Sequence, residues 1–124
     1  MTARPSLVGP ATGEGDNDSA ILGPARDRFR TLIVARILAF EAFRKPDASG
    51  LSVRQALTGI SDLAHKIAGV GATLGFAKLG ADASALERAI TGAQRDNAPP
   101  ARTFAAIEPL LEKLLDEMEG QIDA

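Results

Sequence analysis

The chain has 124 residues, enough for one domain with a single core and too few for two independent ones. Apolar residues make up 45% of it but aromatics only 4%, with no Trp or Tyr, so aliphatic side chains and five Phe must build the core, a palette that favours packed helices. A net charge of -2 without a basic cluster argues against a nucleic-acid footprint, and the absence of cysteine excludes disulfides, thiolate metal sites and cysteine nucleophiles.

No apolar run reaches the length of a bilayer span, and "MTARPSLVGPATGEGDNDSA" lacks the apolar segment of a signal peptide, so a cytoplasmic protein that does not enter the membrane is expected. Residues 1–23, rich in Gly, Pro, Asp and Thr and without periodicity, read as a disordered or loosely attached tail, which leaves 24–124 as the folded domain.

From Pro24 onward, Phe29, Leu32, Ile33, Ile37 and Phe40 recur at helical spacing and predict a first long helix that ends before Pro46 and Gly50. Val34 and Leu38 widen its apolar stripe beyond one face. The extra width suits a thick core contact, or a surface that receives the tail or a second copy, so a monomer and a weak homodimer are both compatible with it.

Ser52 and Gln55 have the spacing of a capping box, and Val53, Leu57, Ile60, Ala64, Ile67, Gly71 and Leu74 follow in steps of three and four. They predict a second helix that ends near Gly75. Leu79, Ala83, Leu86 and Ile90 mark a third. Pro99 and Pro100 suit the first turn of a fourth, "TFAAIEPLLEKLLDEMEG", in which Pro109 is expected to produce a kink or a restart. Short connections between four amphipathic helices predict an all-α fold, an up-and-down antiparallel four-helix bundle.

His65 is the only histidine. Advancing about 100° per residue from Ile60, the core residues of the second helix cluster within about 60°, whereas His65 lies near 140° and faces solvent. Its neighbours on that face are Thr58, Ser61, Asp62, Ala68, Gly69 and Ala72, small except for Asp62. An exposed imidazole on a low platform is accessible to a macromolecular partner. Gly69, one turn on, removes a side chain that would obstruct the approach, although glycine costs a helix about 1 kcal/mol.

This stretch, "AHKIAGVGATLGF", resembles the signature of histidine-containing phosphotransfer (Hpt) domains, in which a histidine is followed by an apolar residue at +2, glycine at +4, and an apolar residue and glycine at +9 and +10. His65, Ile67, Gly69, Leu74 and Gly75 match it, and Leu79, Ala83, Leu86 and Glu87 match the pattern of the next helix. The resemblance implies a phosphocarrier without kinase activity of its own: His65 accepts a phosphoryl group from a receiver aspartate or a sensor (hybrid) histidine kinase of a bacterial two-component phosphorelay and passes it to a response-regulator receiver domain. It implies no bound cofactor, because the Mg²⁺ and the acidic pocket belong to the receiver. Neutral imidazole suits the role because it is a competent nucleophile near neutral pH.

One position departs from the family pattern. The usual lysine at +3 is Ala68 here, which leaves Lys66 at +1 and Lys78 at the start of the third helix as substitutes in the phosphoryl environment. The departure keeps a second reading open: a helical adaptor or degenerate Hpt-like module that binds a receiver or kinase without carrying phosphate. A phosphate loop is excluded, since "GVGATLG" lacks the Lys-Ser/Thr ending and follows no strand. Glu112, Asp116 and Glu119 share a helix face but have no histidine partner, and read as a solvated acidic surface rather than a metal site.

Overall fold

Four helices account for most of residues 14–123, the part of the chain that the computed structural model describes. They are α1 (Glu14–Arg44), α2 (Val53–Thr73), α3 (Ala77–Arg95) and α4 (Pro100–Asp123). Helix α1 begins ten residues before Pro24, which lies inside it, so the expected tail is helical from Glu14 onward. The rest of that expectation, residues 1–13, falls outside the described residues.

Each later boundary has a local cause. Ser52 Oγ accepts the backbone N–H of Gln55 at 3.0 Å while the Gln55 side chain accepts the N–H of Ser52 at 2.9 Å, which closes the capping box at the start of α2. At its other end Gly75 adopts φ +89, and the N–H groups of Phe76 and Gly75 return to the carbonyls of Gly71 and Ala72. That pattern is a Schellman motif, and the left-handed residue it needs explains Gly75. Asn97, at φ 57, ends α3 in the same way, with Ala98 N–H donating to Ala93 O. Pro100 then occupies the first position of α4, where a missing N–H costs nothing. The expected break at Pro109 does not occur: α4 runs through it, and Pro109 stands on the exposed side, where water can serve the carbonyl left without a partner.

The connections of three and four residues between α2 and α3 and between α3 and α4 force antiparallel neighbours. Packing runs α1 on α2, α2 on α3, α3 on α4 and α4 on α1, with α2 also touching α4 across the short diagonal. The core is Ile33 and Phe40 of α1, Leu57, Ile60 and Ile67 of α2, Leu79, Leu86 and Ile90 of α3, and Ile107, Leu111, Leu114 and Met118 of α4. Leu32, expected in the core stripe, is instead 49% exposed, because it lies about 100° round the helix from Ile33 and the bundle takes only a narrower arc.

Small residues set the closest approaches. A Cβ on Gly80 would come within 3.2 Å of Ala72 N and 3.3 Å of Ala68 O, so α3 lies backbone to backbone against the C-terminal half of α2. Gly59 receives the Phe43 ring of α1 flat on its surface, where a Cβ would fall 2.3 Å from a ring carbon. Ion pairs tie the outer surfaces. Arg44 of α1 meets Glu108 and Glu112 of α4, which raises its pKa, chiefly through the hydrogen bond to Glu108. Lys78 meets Asp82 and Glu117, and Lys113 meets Asp82.

Candidate functional site

The exposed surface of α2 is a ladder. His65, Gly69 and Thr73 stand four residues apart in one column, and Lys66, Val70 and Leu74 form the next; all six line one shallow depression. The side chain of His65 is 74% exposed at the edge of this depression.

On its other flank His65 is held by α3. Its Nδ1 lies 2.9 Å from Glu87 Oε2, and the Glu87 side chain is 26% exposed. An ionised carboxylate can only accept, so this contact makes Nδ1 the protonated nitrogen. The neutral ring then presents the lone pair of Nε2 outward. A nucleophilic nitrogen of fixed tautomer and orientation thus stands on an open surface, while the groups that surround it are small or lie to one side.

Gly69 is regular helix rather than a bend, because its φ is not positive and a Cβ there would meet nothing within 4 Å of its own chain. Thr58, Asp62 and Ala72 are exposed on α2. Ser61, expected on the partner surface, is only 8% exposed and is removed from it, and Ala68 is half-buried against the core. Both corrections have one cause: α3 packs on that flank of α2, so the open surface lies on the α1 side of His65.

Lys66 borders the depression beside His65. Lys78 does not come near it. It precedes Glu87 by nine residues, about 13 Å along α3, and its ammonium is engaged by Asp82 and Glu117 at 3.1 Å each. Those two hydrogen bonds, that to Glu117 first, raise its pKa above the ordinary 10.5. Lys78 therefore pins α3 to α4, and the expectation that it serves the phosphoryl environment is withdrawn.

Three features escaped the sequence reading. Glu87 carried a family match but no role, and only the antiparallel register of α2 and α3 brings it to His65. Val70, 44% exposed, and Thr73 look like further helix surface until the depression is seen. On α1, Leu32 and Arg36 face Lys66 and Val70 across a second, adjoining groove.

The family model of the Hpt domain matches residues 26–122, most of the chain, spanning α2 and α3 whole and most of α1 and α4. The chain belongs to the Hpt domain family. Hpt domains are histidine phosphocarriers of phosphorelays and work with receiver domains and histidine kinases. No curated protein and no solved structure matches this Hpt chain. Among its described residues no group of His, Asp and Glu could hold a metal ion, and no helix is long and apolar enough to cross a membrane.

Proposed function

We propose that His65 is the phosphoryl-accepting residue and that Nε2 is the attacking atom. The observation that carries this reading is the bond from Nδ1 to Glu87 at 2.9 Å on a side chain otherwise open to solvent. In the forward step Nε2 attacks the phosphorus of a receiver phosphoaspartate. The Nε2–P bond forms as the P–O bond to the aspartate breaks, and the aspartate leaves as a carboxylate. The ring keeps its Nδ1 proton and becomes a phosphoimidazolium, whose positive charge the Glu87 carboxylate stabilises. The reverse of these steps delivers the phosphoryl group to a second receiver.

Phosphoryl transfer depends on in-line positioning and charge neutralisation more than on acid-base chemistry. Mg²⁺ comes with the receiver in this scheme, and the chain needs no nucleotide site and no kinase activity of its own. The receiver docks over the depression on the α1 side of His65, where Gly69 leaves room and Val70 and Leu74 offer apolar contact. Transient relay complexes suit such a small, partly apolar surface. A sensor kinase reaches the same nitrogen, and a cytoplasmic location follows from such partners.

Intact mass after incubation with a phosphorylated receiver and Mg²⁺ tests the proposal, beside a His65→Gln control. An acid-labile phosphoryl adduct on the wild type alone is the expected result. Receiver binding without any adduct would overturn it in favour of a docking adaptor, the reading that the missing +3 lysine keeps open.

A further inference from the structure

The family position for a cation, +3, is Ala68, and it is half-buried on the α3 side. The opposite flank carries two cations that no other group uses. Lys66 of α2 and Arg36 of α1 have no ion-pair or hydrogen-bond partner among the described residues, in contrast to Arg30, Arg44, Lys78 and Lys113.

Arg36 and Lys66 line one apolar groove together with Phe29, Leu32, Ile67 and Val70. That groove shares Lys66 and Val70 with the depression beside His65, so the two are continuous. The register agrees. Phe29 stacks on Phe76 at 5.1 Å and Phe43 lies against Gly59, and between these two fixed points Arg36 stands level with Ile67. Arg36, Lys66 and His65 thus occupy one height of the bundle, on three successive columns.

We propose that Arg36 and Lys66 form a cationic rim that recognises carboxylates on the docking face of the receiver, with Leu32 and Val70 as the apolar floor between them. The inference rests on the reading of His65 as the phosphoryl acceptor. The charges of the site are laid out across it: Glu87 lies on the α3 side of the imidazole and the two cations on the α1 side, where the exposed Asp62 stands one turn before Lys66 and offsets part of their charge. A partner with an acidic rim around its phosphorylation pocket is attracted in one orientation and repelled in the reverse. Unpaired cations at this position, Lys66 exposed and Arg36 half-buried, act on encounter and orientation and not on the chemical step. Such steering is strong at low salt and is lost once the Debye length falls to a few ångströms.

The test uses the full chain with two donors: a receiver domain phosphorylated by acetyl phosphate, chosen because it loads the wild type, and phosphoramidate, a small donor with no docking surface. Arg36→Gln and Lys66→Gln should each raise KM for the phosphorylated receiver about three- to tenfold at low ionic strength, with the double variant worse still. The difference should fade towards about 0.5 M salt. In Arg36→Gln the maximal single-turnover rate and the rate with phosphoramidate should not change, and Arg36→Lys should recover most of the loss.

Equal KM in wild type and variants at every salt concentration would overturn the rim. A matching loss with phosphoramidate would also overturn it, by making the phosphoryl oxygens the contact in place of receiver carboxylates. If phosphoramidate and every phosphorylated receiver screened for that choice leave the wild type without phosphate, the assignment of His65 fails instead, a separate outcome.

Discussion

Gly69→Ala separates what a glycine costs the fold from what it gives the site. Gly69 lies inside α2 with an ordinary helical φ, and an added Cβ would touch nothing within 4 Å. No clash and no cavity enter the balance, so helix propensity alone remains, and alanine should stabilise the protein by about 1 kcal/mol. For a domain of this size that raises the melting temperature by roughly 4 °C. The same methyl stands one turn from His65 on the same column, where a receiver must bring its phosphorus to bonding distance of Nε2. A displacement near 1 Å in such a geometry can cost up to about a hundredfold in rate, and a fall of at least about tenfold in single-turnover transfer is expected. Urea unfolding and transfer from a phosphorylated receiver, measured on the same preparations, check both halves. A variant that is more stable and transfers at the wild-type rate would refute the argument that this glycine keeps the approach open. A less stable variant would refute the geometry on which the stability half rests.

Glu87→Ala should leave the melting temperature within a few degrees but slow transfer by about tenfold, the order lost when the partner that orients a histidine ring is removed. Nitrogen chemical shifts of His65 should then report a mixture of tautomers, while Glu87→Gln, which can still accept from Nδ1, should keep the single one. Gly80→Val should destabilise by about 2 kcal/mol in urea unfolding, because its Cβ would already sit 3.2 Å from Ala72 N in α2 and two further methyls have nowhere to go. Leu86→Ala, at a fully buried side chain of α3, should cost about 2–5 kcal/mol by the same assay. Lys78→Met should show a pH signature. The folded state raises the Lys78 pKa above 10.5, so the stabilisation is fully present below that value and lost as pH rises through the folded pKa. The gap in urea midpoint between wild type and variant should be constant from neutral pH up to about 10.5 and close only above that; a gap that persists in strong base would contradict the ion-pair account.

Most of the bundle is legible in the order of residues, because helix starts, stops and faces are local matters. Ser52 and Gln55 state a cap three residues apart, and Gly75 supplies the one left-handed residue at the end of α2. The residues chosen for the α3 core, Leu79, Ala83, Leu86 and Ile90, are all buried. Where the reading strayed, a neighbouring helix decided. Pro24 and Pro109 are breakers in isolation, yet both lie within continuous helices. Ser61 and Leu32 sit near the edges of their stripes, and which edge is covered depends on where α3 and α1 pack.

The site divides along the same line. The amino-acid sequence by itself determined that His65 points away from the core and that Gly69 follows it on the same face, since both follow from the 3.6-residue period of one helix, while the likeness of their spacing to that of Hpt domains came from the resemblance of the motif. Only the tertiary structure decided which groups surround the imidazole. Glu87 is 22 residues away in the chain and 2.9 Å away in space, Arg36 arrives from a different helix, and Lys78 is drawn off to α4. No periodicity within one helix encodes such distances; they come from the register in which α1, α2 and α3 pack, which Gly59 and Gly80 set by how closely they let neighbouring helices approach.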